Sequence, residues 1–302
     1  MNKNPITIFG EVLFDHFPDG SRVLGGAPFN VAWHLQAFRQ EPHFISRVGQ
    51  DATGDSVIAA MHKWGMDMSG LQRDSRHPTG VVDIVIEQGE PAYTIVPEQA
   101  YDYIDEDELQ DTDRPGLLYH GTLSLRQPVS RAALDVLKDG HKGRIFMDVN
   151  LREPWWQKDQ VLEWLGQADW VKLNHHELAA LYQVSGDLKS DMRRFVELYR
   201  LQGLIVTSGK QGAFATDRHG ESCRVMPGEI AQVIDTVGAG DAFASVMLLG
   251  LNLDWPLQIT MERAQAFASA MVGQRGATVS DPVFYETFIA DWDLLPFDRK
   301  TV

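Results

Sequence analysis

The chain has 302 residues, of which 44% are hydrophobic, and a formal net charge of −15. A chain of this size and apolar content can bury one large core, so we expect a single domain over residues 1–302. The acidic balance, without a block of basic residues, argues against nucleic acid or an anionic membrane as a partner. The single cysteine, Cys223, excludes an internal disulfide. No apolar run approaches the ~20 residues needed to span a bilayer, and residues 1–9 lack a signal-peptide pattern, so we expect a cytoplasmic protein.

Apolar runs typical of buried strands alternate with amphipathic helical patterns along most of the chain. The predicted strands are residues 6–9, 43–48, 116–121, 144–149, 170–173 and 204–207. The helical patterns include residues 29–38, 55–64, 131–137 and 192–201. This alternation predicts an α/β fold with a mostly parallel sheet and helices on both faces.

Two parts of the chain depart from that alternation. Residues 203–227 contain short strands joined by glycine-containing turns, which indicates local antiparallel pairing. Residues 81–87 and 92–96 read as a hairpin around a turn at 88–91, and neither arm has a helix beside it. We therefore expect this hairpin to project from the main sheet as a small β lid, formed by about residues 11–24 and 80–104.

A glycine-rich turn over residues 235–241, Asp-Thr-Val-Gly-Ala-Gly-Asp, precedes the helical pattern of residues 242–251. Gly238 and Gly240 let the backbone turn tightly and leave space for an incoming group. The first N–H groups of a helix have no internal partner and carry partial positive charge, which makes this turn suitable for phosphate. Asp241 can accept a proton from a hydroxyl that attacks a phosphoryl group, or it can merely cap the helix. These residues alone leave both interpretations open.

Two further turns lie where a strand is followed by a helix. Gly25 and Gly26 allow a small molecule to approach the backbone, and Asn30 offers a donor and an acceptor to hydroxyl groups. An ordinary strand-to-helix turn explains the same residues. Asn174 and Glu177 are spaced as a capping box, or Glu177 lies near Mg²⁺ through water. The residues alone do not decide between these alternatives.

Together these motifs resemble the ribokinase-type carbohydrate kinases, the PfkB family, over nearly the whole chain. Four signatures of that family occur in its order: Gly25–Gly26 with Asn30 and the stretch 49–54, the Asn174-x-x-Glu177 magnesium motif, the turn at 208–212 and the turn at 235–241. Residues 9–15 and 148–152 are similar to those of fructokinase-like members. The resemblance implies a ribokinase-like three-layer sandwich with a mostly parallel central sheet and a small β lid.

The resemblance also implies a role for each residue that matches the family's motifs. For catalysis it implies Asp241 as the base, the N–H groups of Gly238, Ala239 and Gly240 as the anion hole, and Arg152 as a charge partner of the transferred phosphate. For the sugar it implies Asp15, Gly25, Gly26, Asn30 and, from the lid, Tyr93. For ATP it implies Asn174, Thr207, Ser208, Gly209, Gly212 and Gln265. Glu177 would hold Mg²⁺ through water, and a monovalent cation, K⁺, would lie near Asp235, Val237, Gly276 and Ser280.

The function implied is ATP-dependent phosphorylation of a primary hydroxyl of a free sugar, with fructose as the leading acceptor because of residues 11–15 and 148–152. Ribokinase, 2-keto-3-deoxygluconate kinase and nucleoside kinase are alternatives, and a phosphosugar kinase is a further one. A sugar or nucleotide sensor that has lost catalysis is the non-enzyme alternative, although the intact run from Gly238 to Asp241 argues against it. We expect a homodimer that forms through the lid.

Overall fold

The computed structural model of the protein describes residues 4–87, 90–110, 112–113, 115–228 and 233–294. Its strands are β1 (Ile6–Phe9), β2 (Leu13–His16), β3 (Arg22–Gly25), β4 (His43–Gly49), β5 (Leu71–Asp74), β6 (Gly80–Glu87), β7 (Glu90–Ile95), β8 (Leu117–His120), β9 (Arg144–Asp148), β10 (Trp170–Asn174), β11 (Gly203–Thr207), β12 (Ala213–Asp217) and β13 (Ser222–Val225). Its helices are α1 (Ala27–Ala37), α2 (Ala52–Lys63), α3 (Pro128–Gly140), α4 (Lys158–Leu165), α5 (His175–Leu181), α6 (Leu188–Tyr199), α7 (Ala239–Asn252), α8 (Leu257–Val272) and α9 (Val283–Asp291). Every strand and helix predicted above overlaps one of these elements.

A nine-stranded sheet forms the centre of the molecule, in the order β13-β12-β11-β10-β9-β8-β1-β4-β5. All neighbours from β11 to β5 are parallel. The strands β11, β12 and β13 pair antiparallel, as predicted for residues 203–227. The parallel strands end at one edge of the sheet, and in open parallel sheets that edge carries the ligand site.

Helices cover both faces of this sheet because successive side chains of a strand point to opposite sides. Ile8 and Tyr119 belong to the core beneath α1, α2, α7, α8 and α9. Their chain neighbours Phe9 and Leu118 belong to the core beneath α3, α4, α5 and α6. The three-layer α/β sandwich is confirmed. In the described part of the chain, no helix has the length and apolar character needed to cross a membrane.

A second, four-stranded sheet has the order β3-β2-β6-β7. The outer pairs are antiparallel, whereas β2 and β6 are parallel. The predicted hairpin is present, but the prediction of a turn over residues 88–91 was wrong at one end. Glu90 and Pro91 already belong to β7, where they pair with Glu87 and Ile86. Proline is compatible with this position because β7 is an edge strand and its free side needs no N–H donor; residues 88 and 89 lie outside the described part.

A buried arginine joins the small sheet to the main body. The side chains of Arg126 and Asp102 are 3% and 0% exposed, and Nε and Nη2 of Arg126 donate to the two Asp102 oxygens at 2.6 and 2.7 Å. Nη2 also donates to the carbonyl oxygen of Val96, just after β7, at 2.7 Å. The guanidinium lies 4.5 Å from the ring centre of Trp155. These contacts fix the small sheet above the edge where the parallel strands end.

Candidate active site

The glycine-rich turn leads directly into α7. Gly238 is the residue before the helix and has φ +79°, in the left-handed region. A Cβ at Gly238 would lie 2.4 Å from Cβ of Ala277, so both the conformation and the space require glycine. Within the described residues, the N–H groups of Gly238, Gly240 and Asp241 have no acceptor, whereas that of Ala239 donates to the Thr236 carbonyl at 3.4 Å. The turn therefore presents free amides at the positive end of a helix.

Asp241 does not cap α7, because no side chain caps this helix. Its Oδ2 instead accepts a 2.8 Å hydrogen bond from Nδ2 of Asn30 in α1. Burial raises the pKa of Asp241 to about 6, and the hydrogen bond from Asn30 opposes that rise. Asp148 raises this pKa further, whereas Lys172 and Arg152 lower it. A carboxyl group that titrates near neutral pH is well suited to accept and return a proton.

Asp15, Gly25 and Asn30 lie together beside Asp241. A Cβ on Gly25 would lie 3.8 Å from Oδ1 of Asn30 and 3.9 Å from Oδ2 of Asp15. Oδ1 of Asn30 is buried and has no hydrogen-bond partner among the described residues. Burial raises the pKa of Asp15 to about 6, and the charge of Arg152 partly offsets this. The predicted sugar residues thus form a polar group beside the predicted base.

Gly26 and Glu11 approach each other through the backbone. Gly26 has φ +107°, and a Cβ there would lie 2.7 Å from the carbonyl oxygen of Glu11, so only glycine fits. Glu11 is 3% exposed, and its Oε2 has no partner in the described part of the chain. Burial raises the pKa of Glu11 to about 7, and the charge of Asp241 adds to the rise. The sequence analysis assigned no role to Glu11 individually. The available signal was a carboxylate followed directly by the apolar residues Val12 and Leu13.

Tyr93 is the predicted sugar residue that lies apart from this group. It is in β7, opposite Ile84 of β6, and 57% of it is exposed. The structure brings Asp15, Gly25 and Asn30 together with Asp241, but leaves Tyr93 largely exposed, on the face of the small sheet that it shares with its cross-strand partner Ile84.

Glu177 is held by backbone groups from two directions. Asn174 caps α5 and forms the capping box with Glu177. Oε2 of Glu177 accepts from the Asn174 amide and Oε1 from the Leu151 amide, both at 2.8 Å. Because both oxygens already accept hydrogen bonds, the carboxylate fits Mg²⁺ better through water than by direct coordination. The described residues contain no group of three acidic, histidine or cysteine side chains that would hold a metal by itself.

A buried ion pair lies below these groups. Nζ of Lys172 in β10 donates to Oδ1 and Oδ2 of Asp148 in β9 at 2.9 and 2.8 Å. The hydroxyl of Tyr119 donates to Asp148 at 3.4 Å. Sequence reasoning missed Lys172, although a lysine between Val171 and Leu173 in a buried strand was a signal.

The predicted ATP residues follow the ends of β10 and β11. Asn174 and Thr207 are register partners at those ends. The Ser208 amide donates to the Gly212 carbonyl at 2.8 Å, which closes the turn that contains Gly209. Gly212 has φ +82°, and a Cβ there would lie 1.9 Å from the carbonyl oxygen of Val225. Val225 lines a cavity of about 420 Å³ together with Met226, Gly228, Glu262, Gln265 and Ser269. The turn at residues 208–212 and Gln265 thus border the same part of the molecule.

Asp235 connects the two chain segments that are predicted to hold a monovalent cation. Its Oδ1 accepts from the Val237 amide at 2.9 Å and its Oδ2 from the Gly276 amide at 3.1 Å. Ser280 lies in the segment between Gly276 and α9. Since the carboxylate serves two amides, a cation here would rest on backbone carbonyl oxygens.

The sequence pattern of the pfkB family carbohydrate kinases matches residues 8–283. The chain belongs to this family. The kinase is 31% identical over 265 residues to a fructokinase of Klebsiella pneumoniae, which covers 82% of this chain and 84% of that protein. It is 28% identical over 298 residues to a fructokinase of Salmonella typhimurium, covering 92% and 96% of the two chains. The structure of a fructokinase with bound ATP from Xylella fastidiosa has the same fold, with a TM-score of 0.83, 22% identity, and 96% and 99% of the chains covered.

Proposed function

We propose that this kinase transfers the γ-phosphoryl group of ATP to a primary hydroxyl of fructose, with Asp241 as the base. The observation that carries the proposal is the position of Asp241: it follows a turn with free amides and is hydrogen-bonded to Asn30, beside Asp15 and Gly25. The fructokinase relatives favour fructose as the acceptor over other sugars and nucleosides. Residues 11–15 and 148–152 favour the same acceptor.

The proposed reaction moves one proton and one phosphoryl group. The Asp241 carboxylate accepts the proton of the sugar hydroxyl while the sugar oxygen bonds to the γ-phosphorus. The bond between that phosphorus and the bridging oxygen of ATP breaks, and its electrons leave with ADP. Since such a transfer requires little covalent chemistry from the protein, position and charge supply most of the acceleration.

Charge on the transferred group would be stabilised by two kinds of donor. The amides of Gly238 and Gly240 point from the positive end of α7, and Ala239 joins them if its weak bond to Thr236 opens. The guanidinium of Arg152 acts on Glu11, Asp15 and Asp241, and its charge would also stabilise a phosphate among them.

ATP would lie along the ends of β10 and β11. We place its phosphates near Asn174 and the turn of Ser208, Gly209 and Gly212, after Thr207, and its base near Gln265. Mg²⁺ bound to the phosphates would neutralise their charge, and Glu177 would orient its water ligands. A monovalent cation beside Asp235, Val237, Gly276 and Ser280 would order the turn that leads to α7.

The small sheet would act as a lid that excludes water, a competing phosphoryl acceptor. Exposed apolar residues lie on both faces of this sheet: Val85, at 45% exposure, follows the buried Ile84 and points to the opposite face, whereas Tyr93, at 57%, is the cross-strand partner of Ile84. Phe17, just after β2, is 37% exposed. A second copy of the chain would cover such side chains, which supports a homodimer formed through the lid. In such a dimer Tyr93 would pack against the partner or its sugar.

The test is ADP release from ATP and Mg²⁺ with fructose, ribose, 2-keto-3-deoxygluconate, adenosine or fructose 6-phosphate as acceptor. We expect the highest kcat/KM with fructose, and a loss of kcat of roughly 10²-fold or more in Asp241→Asn. A preference for another acceptor would overturn fructose, and a near-wild-type rate in Asp241→Asn would overturn the base. Bound ATP without turnover of any acceptor would favour the sensor.

A further inference from the structure

The ion pair of Lys172 and Asp148 has no part in the reaction proposed above. The two residues are register partners on the neighbouring strands β10 and β9, so their side chains emerge on the same side of the sheet. Their side chains are 8% and 3% exposed. The pair is therefore fixed by the sheet itself and has little access to water.

The ammonium group of Lys172 lies against the glycine-rich turn. A Cβ on Gly240 would be 3.7 Å from Nζ of Lys172, which is its nearest described neighbour outside α7. Gly240 is the second residue of α7 and carries one of the free amides of the turn. The positive charge thus lies beside the turn whose amides would face a phosphoryl group.

Lys172 is protonated at neutral pH. Burial lowers the pKa of its ammonium, but Asp148, then Asp241 and Glu177, raise it, and the net direction is upward. The groups that act on the Asp241 carboxyl are Asn30 of α1, Asp148 of β9, Lys172 of β10 and Arg152 after β9. Glu11 after β1 and Tyr119 of β8 also face it; burial and the neighbouring carboxylates raise the pKa of Tyr119 well above its usual value, so this phenol stays neutral.

A contribution to folding stability alone does not explain why this ion pair is present. Removing two charges from water costs about as much as their attraction returns, and apolar replacements of such pairs are often neutral or stabilising. Lys172 lies between two apolar residues of a buried strand and beside a proposed anion site. This position indicates a role for its positive charge.

We propose that Lys172, held by Asp148, is a positioning residue that supplies a fixed positive charge beside the glycine-rich turn, close enough to act on the Asp241 carboxyl. The proposal rests on the sugar kinase reaction above, with Asp241 as its base. Lys172 acts through two other groups. It favours the ionised form of the Asp241 carboxyl, and it adds positive charge to that of the α7 amides that would face the phosphoryl group. Asp148 has the opposite effect on the base, because its own negative charge opposes ionisation of Asp241.

These opposite signs give a pattern that a merely structural pair would not produce. In Lys172→Met the lowering influence on the pKa of Asp241 is lost, so the acidic limb of the kcat/KM–pH profile moves to higher pH. In Asp148→Asn the raising influence of the Asp148 charge on Asp241 is lost, so the limb moves to lower pH. In the double variant both influences are lost, so the limb stays near that of the wild type while the charge beside the turn is missing.

The experiment measures kcat, kcat/KM against pH, and thermal melting for the two single variants, the double variant and Lys172→Arg. We expect kcat to fall by about tenfold or more in Lys172→Met and in the double variant, with partial rescue in Lys172→Arg. Lys138→Met is the control, since Lys138 lies on α3 and its Nζ contacts Gln167 far from the turn. If Lys172→Met fails to fold, the double variant decides, because it leaves neither an unpaired carboxylate nor an unpaired ammonium in place of the pair.

Acidic limbs that coincide in all variants, with kcat within about twofold of the wild type, would overturn the proposal. Asp241→Asn measured in parallel separates the two possible failures. If Asp241→Asn retains activity, the base assignment itself has failed. If Asp241→Asn is inactive while the Lys172 variants behave as the wild type, only the role of Lys172 is rejected.

Discussion

Nδ2 of Asn30 donates to Oδ2 of Asp241 at 2.8 Å, across 211 positions of sequence. The bond holds the carboxyl in one orientation and favours its ionised form, since it lowers the pKa of Asp241. We expect Asn30→Leu, which keeps the side-chain size, to move the acidic limb of kcat/KM to higher pH and to reduce kcat by about 10²-fold. The pH–rate profile measures both effects.

The control for this variant is Asn252→Leu. Asn252 is also buried, at 6% exposure, but lies at the other end of α7. It is expected to change stability and leave the acidic limb in place. An acidic limb of kcat/KM at the same pH in both variants would contradict the role of Asn30.

Asp15 is predicted to act on the sugar and not on ATP. Its Oδ2 lies beside Gly25 and Asn30, and Asn30 in turn contacts the proposed base. Asp15→Ala is expected to raise the KM for fructose about tenfold or more while the KM for ATP changes little, because a lost charged hydrogen bond costs about 1.5–3 kcal/mol. Asp19→Ala, in the same hairpin but exposed, is the control. Equal increases in both KM values would indicate a merely structural role.

Glu11 should make the folded protein less stable as the pH rises. Its pKa is about 7 when folded, against 4.5 as an ordinary carboxyl, so between these values the folded state holds a proton that the unfolded state has released. The stabilising contribution is complete below the unfolded pKa and is lost as the pH rises through the folded one. In Glu11→Gln this loss is removed, so the free energy of unfolding by urea falls less between about pH 5 and about pH 8.

Asp15 and Asp241 have raised pKa values too, so the decline is reduced and not abolished in this variant. Glu286→Gln, on the exposed side of α9, is the matched control. A pH dependence identical in Glu11→Gln and the wild type would show that Glu11 is already ionised in the folded protein.

Arg126 is predicted to be essential for stability. Arg126→Met leaves the buried Asp102 carboxylate without its partner, which costs about 3–5 kcal/mol of unfolding free energy. Arg73→Met breaks an ion pair with Asp55 whose side chains are 31% and 70% exposed, and is expected to cost at most about 1 kcal/mol. Urea unfolding compares the two, and equal losses would contradict the importance of burial here.

The fold could be predicted because its signals are local. Hydrophobic periodicity marked the strands and helices, and the glycines of residues 235–241 marked a turn before a helix. Lys172, Arg126 and Glu11 were missed because their meaning depends on partners that only the register of the sheet and the packing of the lid provide. Lys172 meets Asp148 because β9 and β10 align at those residues, and no spacing along the chain reveals that alignment. The predicted turn at 88–91 is too long because Glu90 and Pro91 pair within β7, an edge strand that tolerates proline.

Helix α7 packs against α1, although it is made long after α1 in the order of synthesis. At roughly 5–20 residues per second, the ribosome adds Asp241 about 10–40 s after Asn30. During that interval the nascent chain contains Asp15, Gly25 and Asn30, but no helix to cover the face of the sheet where α7 belongs. A growing chain therefore exposes apolar surface until its last third is made, and the base becomes available only when that surface is closed.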